Sequence, residues 1–136
     1  MSNYTENAIY NAIADGINDR VPSCKCYSRY TERLESFPAA MIYPLDIAEP
    51  QRYRTLAGDS HAFRWTFEIQ LFSNVRNGAK AEVEEMLNGA ADAFRPMHFR
   101  VVSARHIPGS TNDIYRYVLR IDRIIGEADE MPEQNP

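Results

Sequence analysis

The sequence predicts an α+β domain: a mixed, mainly antiparallel sheet of about five strands with two helices packed on one face, in the order α-β-β-β-α-β-β. Three observations carry this. Ile9, Ile13 and Ile17 recur at helical spacing near the start. Phe63, Trp65, Phe67, Ile69 and Leu71 alternate with Arg64, Thr66, Glu68 and Gln70, the pattern of a long strand with one apolar and one wet face. Between that strand and two further alternating segments, Val83, Met86, Leu87, Ala90, Ala91 and Phe94 return to helical spacing.

The first helix runs from Asn3 to about Asp19, with Asn3 and Glu6 spaced as a capping box. Gly16 weakens its last turn, and Val21-Pro22 stops it. Ser23 to Tyr30 alternates, with Cys24, Cys26, Ser28 and Tyr30 on one face and Lys25, Tyr27 and Arg29 on the other, which reads as a strand. Ala39 to Tyr43 is a short strand confined by Pro38 and Pro44, neither of which can donate to a ladder, so that each favours a strand end or a sheet edge. Leu45 to Ser60 has no sustained period and reads as a long connection, the first place to look for binding. His61 to Ser73 is the long strand. Ala79 to Phe94 is the second helix, with Glu82, Glu84 and Glu85 in its early turns, where the macrodipole favours acids. Met97 to about Arg105 and Ile114 to Ile124 form a closing hairpin around Pro108-Gly109-Ser110. On its second arm Tyr115, Tyr117, Leu119 and Ile121 face one way and Arg116, Val118, Arg120 and Asp122 the other. The hairpin is antiparallel, whereas the strands flanking the second helix are joined by a crossover that lets them lie parallel in one sheet. Residues 1–125 thus make one domain, and residues 126–136, with four acids and two prolines, read as a disordered acidic tail.

Composition narrows the function. A chain of 136 residues with 44% apolar and 25% charged residues matches one soluble globular domain. No apolar run approaches a membrane span, and the first residues lack the basic and apolar regions of a secretory signal, so the expectation is cytoplasmic. A net charge of −4 argues against a general nucleic-acid binder. Cys24 and Cys26 are too close to staple the fold and read as a reduced pair. With His61, His98 and His106 they offer only a C-x-C pair, a weak zinc signal, and ordinary strand residues are the simpler account. No nucleophile with a partnered base, no carboxylate pair and no glycine-rich phosphate loop is discernible, so the chain reads as non-enzymatic, with no cofactor and no metal.

The aromatic and arginine residues point instead to protein interfaces, where rigid rings and planar guanidinium groups are favoured. Tyr27, Arg29 and Tyr30, then Arg52, Tyr53 and Arg54, then Arg116 and Arg120 are the candidate contact residues; for any one of them, decoration of a solvated sheet face is the plainer account.

Over about residues 3–125, the size, the N-terminal helix, the strand Phe63-Arg64-Trp65-Thr66-Phe67-Glu68-Ile69-Gln70-Leu71, the helix after it and the final arm Tyr115-Arg116-Tyr117-Val118-Leu119-Arg120-Ile121 resemble the tail terminator family of long-tailed bacteriophages and related gene-transfer-agent proteins. That resemblance implies a hexameric ring of this chain. It would dock on the last ring of tail-tube protein, stop polymerisation and offer a surface to a head-tail connector, while DNA passes through without specific binding. It also implies a place in the virion, assembled in the host cytoplasm. A ring needs two different patches per subunit; the loop with Arg52, Tyr53 and Arg54 is assigned to docking and the uncovered sheet face to neighbour contacts. Three alternatives stay open: another neck connector, a small-molecule-binding or enzymatic α+β domain, and an adaptor whose acidic tail recruits a basic partner.

Overall fold

The computed structural model describes residues 4–48, 62–108, 114–126 and 129–132. Helix α1 spans Glu6–Arg20. Its cap is Thr5 rather than Asn3: Thr5 has an extended backbone, and its Oγ1 accepts the N–H of Ala8 at 3.0 Å. Asn3, the residue expected to cap it, lies outside the described residues. Thr5 is the better choice because it places the hydroxyl over the first turn while Ile9, Ile13 and Ile17 stay fully buried. Thr5→Ala is expected to cost about 1 kcal/mol, read as a lowered urea midpoint at unchanged slope.

Strand β1 is only Lys25–Tyr27, shorter than the expected Ser23–Tyr30. It pairs in parallel with β2, Ala39–Ala48, so that Lys25, Cys26 and Tyr27 sit opposite Ala39, Ala40 and Met41. The segment between them crosses the end of the sheet, where Leu34 and Phe37 pack on Ala39, Met41 and Phe72. Contrary to the sequence expectation, Pro44 does not end β2. The ladder to β3 continues past it, with a register shift between Pro44 and Asp46. β1 covers β2 only as far as Met41, so Pro44 lies on a free edge, where a missing N–H leaves no neighbour unpaired, and the shift absorbs the irregularity. Of the long connection expected from Leu45, residues up to Ala48 are strand, and those from 49 to 61 lie outside the described residues.

Strand β3 is Ala62–Ser73, helix α2 Ala79–Phe94, strand β4 Arg100–Ile107 and strand β5 Tyr115–Gly126. The sheet order is β1-β2-β3-β5-β4, antiparallel except for the β1–β2 pair. β3 and β4 are both antiparallel to β5 and so run parallel to each other with β5 between them; α2 is their crossover. After α2 the chain turns with His98 in the left-handed region (φ 63), the Phe99 N–H returning to the Phe94 carbonyl and the His98 N–H to that of Arg95.

Both helices cover one face of the sheet. Phe67, Ile69, Leu71, Leu119 and Ile121 point into the layer they share with α1 and α2, and Met86 and Phe94 fill it from above. The helices meet at glycines: a Cβ on Gly16 would stand 2.3 Å from the Gly89 carbonyl oxygen, and one on Gly89 2.3 Å from that of Gly16. Gly16, read from sequence as a weak point in α1, is the place where the two helix backbones touch. Arg20 closes the crossing, binding Asp92 at 2.9 Å and Glu85 at 3.4 Å. No helix among the described residues is long and apolar enough to cross a membrane. In the tail segment, Asp129 pairs with Arg123 at 3.0 Å and accepts the Gly126 N–H at 2.8 Å, while Met131 packs against the core.

Candidate assembly surface

The face of the sheet that the helices leave free is built by strand alternation. Cross-strand partners point the same way, so Tyr43, Glu68 and Arg120 share this face, as do Met41, Gln70 and Val118, then Phe72, Arg116 and Ile107. The sequence marks Glu68 and Gln70 as solvated. The structure buries both, to 8% and 3% exposure. Their cover is other side chains on the same face, and they are bonded throughout. The Tyr43 hydroxyl donates to Glu68 Oε2, Gln70 Nε2 donates to the Tyr43 oxygen at 2.8 Å, and Arg120 Nε donates to Glu68 Oε1 at 3.1 Å. Arg116 donates from Nε and Nη2 to Gln70 Oε1 at 3.0 and 2.7 Å, and its guanidinium lies 5.7 Å from the Phe72 ring centre.

The electrostatics follow from these contacts. Burial pushes the Glu68 carboxyl up, but hydrogen bonds from Tyr43 and Arg120 with the Arg120 charge outweigh it, so the group lies below the usual carboxylate range. Burial, then the bond to Glu68, pushes the Tyr43 hydroxyl up to about 12. A second pair repeats the arrangement nearer the sheet edge: Arg100 Nε meets the buried Asp122 at 2.6 Å while its own side chain is largely exposed.

Of the residues expected at an interface, Arg116 and Arg120 stand in the middle of this network. Tyr27 lies on β1 beside Met41, half-buried against the cluster of Ala39, Met41 and Phe72, and Arg29 is exposed on the segment that follows. Tyr30 meets Tyr43 edge-on at 6.4 Å. Arg52, Tyr53 and Arg54 lie outside the described residues. The structure therefore joins Arg116, Arg120, Tyr27 and Tyr30 to one face. Sequence reading missed Tyr43, Glu68 and Gln70, whose only signal is that each alternates into the same face as the arginines once the register is known.

Exposed aliphatics gather on the two free edges: Leu45 and Ile47 on β2, Val101 and Val102 on β4. All of β4 but its last residue is exposed on both faces. At one end of the open face, Tyr30, Phe37, Met41, Gln70, Phe72 and Arg116 line a hollow of about 500 Å³. The cysteines lie on the other side, in the helix-covered core, both as free thiols. Their mutual hydrogen bond, with burial, pushes the Cys24 thiol up, and the same bond holds Cys26 down. Among the described residues no three His, Cys, Asp or Glu side chains stand together as metal ligands; His106 instead stacks on Tyr115 at 4.3 Å.

The chain is an α+β domain with two helices on one face of a five-stranded sheet; the second face is polar across its middle and covered at one end by Leu34 and Phe37. No family model matches the sequence, and no curated protein matches it. A similar fold is found among solved structures. It is shared with a chain in the virion of a native gene transfer agent particle, at 14% identity and a TM-score of 0.56 over 86% of this chain and 90% of that one. A second solved chain, 16% identical, superposes with a TM-score of 0.53 over 85% of this chain and 89% of its own length. The sheath/tube terminator of an extracellular contractile injection system in its extended state aligns along all of this chain and 63% of its own, at 11% identity and a TM-score of 0.48.

Proposed function

We propose that this chain is a non-enzymatic structural subunit of a phage-type tail, which closes the end of the tail tube as a ring, stops tube growth and presents the surface to which the head joins. The observation that carries the reading is the coincidence of a virion-type fold, matched over most of both chains, with a sheet face and two sheet edges that the monomer leaves uncovered. Ring closure requires head-to-tail contact between two unlike patches. The β2 and β4 edges differ in sequence, length and cover and supply such a pair, with the open face between them. The proposed partners are other copies of the chain, six to a ring, then tail-tube protein on one side and a head-tail connector on the other, with DNA passing through unbound. The proposed location is the virion neck. The loop carrying Arg52, Tyr53 and Arg54 is assigned to tube or neck docking.

The test is the mass of the purified chain across a concentration series, by light scattering coupled to gel filtration, with and without tail-tube protein. A sixfold assembly, or a monomer that becomes a ring on tube ends, is the expected result. Charge reversal at Arg52 and Arg54 is expected to weaken capping of tubes, scored as tube length by electron microscopy. A chain that stays monomeric and ignores tubes would overturn the reading and turn attention to the hollow beside Phe72 and Arg116, whose size suits a small ligand.

A further inference from the structure

The charges of this protein are sorted by layer. Helices α1 and α2 carry seven acids against two bases, whereas the five strands carry seven bases against three acids. Nearly all the strand cations face away from the helices. Arg64, Arg116 and Arg120 line up with Glu68 and Gln70 on β3 and β5, and Arg105 and Arg100 continue the row on β4. Two of the three strand acids, Glu68 and Asp122, are buried under Arg120 and Arg100; the third, Asp46, is exposed on this face but outnumbered by the arginines, so what the face shows to solvent is net positive. At one end of it, beside the β4 edge, lies a hollow of about 370 Å³ lined by Arg64, His98, Arg100, Asp122, Arg123 and Ile124. On the opposite side, Asp15, Asp19, Glu84, Glu85 and Asp92 are exposed along the outer stripes of the two helices, and Arg20 engages only Glu85 and Asp92.

We infer that the basic open face of one copy docks on the acidic helix layer of the next, so that subunits join front to back with the arginine-lined hollow as the seat for helix carboxylates. The inference rests on the ring reading above and moves the neighbour contact from the two sheet edges to the open face and the helix layer. A heterologous contact needs two unlike, complementary surfaces on one chain, and charge sorting provides them. Nucleic acid is the competing occupant, and two arguments count against it. The whole chain carries −4, which opposes the approach of a polyanion. A passive DNA channel moreover cannot be lined by an open arginine face, because each neutralised phosphate adds to retention. Val101 and Val102, exposed at 48% and 54% on β4, add apolar area beside the charges.

The experiment uses the full chain and three variants, followed by sedimentation velocity at low and high salt: Arg64→Glu with Arg105→Glu, Asp19→Lys with Glu84→Lys, and all four changes together. The substituted side chains are exposed, so the fold is expected to hold, and a thermal melt checks this. Each double reversal is expected to raise the concentration for assembly at least about tenfold, since like charges then face each other across the contact, and the fourfold variant to return it to within about threefold. Assembly of the parent is expected to weaken as salt rises. Variants that all assemble as the parent does would overturn this inference and leave the ring reading standing. A parent that is monomeric with and without tubes would remove both. Unchanged assembly in Arg64→Glu with Arg105→Glu, combined with loss of binding to a short DNA duplex that the parent holds, would assign the face to nucleic acid and overturn the inference.

Discussion

Gly89→Ala is expected to lower the melting temperature by about 10 °C, although alanine is the better helix former by about 1 kcal/mol. The added methyl group would stand 2.3 Å from the Gly16 carbonyl oxygen and 2.9 Å from the Ile17 Cα, and both are backbone atoms that no rotamer change can move. Relief requires the helices to separate, which lifts Ile13, Ile17, Met86 and Ala90 off one another in a fully packed layer. Overpacking of this kind costs about 1–3 kcal/mol and more where backbone must shift, which exceeds the propensity gain. Gly16→Ala is expected to behave alike, because its methyl would meet the Gly89 oxygen at the same distance. The two effects are expected to be less than additive, since either change alone already parts the helices. Gly78→Ala is the steric control: its methyl would meet only Val75 Cγ1 at 3.5 Å, an ordinary contact, and the expected loss is confined to the N-cap preference of glycine over alanine, about 1 kcal/mol or less. Calorimetry on the three variants decides the matter, and a Gly89→Ala protein as stable as the parent would mean that the crossing is looser than described.

The glycine crossing also shows where sequence reading stops. The helix spanning Ala79–Phe94 was legible to the residue because its apolar stripe, its acidic first turns and the proline after it agree. The long strand was legible because strict alternation over the nine residues from Phe63 to Leu71 admits no other reading. Gly16 and Gly89 lie more than seventy residues apart, and nothing local says that they touch. A glycine inside a helix reads as a defect until its partner is known. Pro44 misled for a related reason. Proline favours a strand end and a sheet edge alike, and which of the two holds at Pro44 depends on how short β1 turns out to be. The open face was half legible. Arg116 and Arg120 were picked out by type, and the register then showed that they belong with Tyr43, Glu68 and Gln70. Polar residues alternating with a core face are assigned to water by default, and only cross-strand neighbours from β2 and β5 reveal that Glu68 and Gln70 are sheltered.

Glu68→Ala is expected to cost about 2 kcal/mol, more than Arg120→Ala, although the two residues form one ion pair. Glu68 is 8% exposed and also accepts from Tyr43 and Gln70, so removing it leaves sheltered donors without an acceptor. Arg120 is about half exposed, and water replaces much of what it loses or leaves. The same cluster sets a pH window. Glu68 has a lowered folded pKa, so its contribution is fully present above its ordinary value of 4.5 and is lost as pH falls through the lowered one. Tyr43 has a raised folded pKa, so its contribution is present below its ordinary value of 10.0 and is lost as pH climbs toward about 12. Stability attributable to the cluster therefore has a plateau between those ordinary values, falling on the acid side through Glu68 and on the alkaline side through Tyr43. Melting temperatures measured from acid to alkaline pH are expected to show a shallower acid limb in Glu68→Gln and a shallower alkaline limb in Tyr43→Phe. Parallel limbs in parent and variants would mean that neither proton is coupled to folding. If the open face is an assembly surface, burial beneath a neighbour pushes the Tyr43 hydroxyl further up and works against the lowering of Glu68, so on assembly the alkaline limb is expected to steepen and the acid limb to flatten.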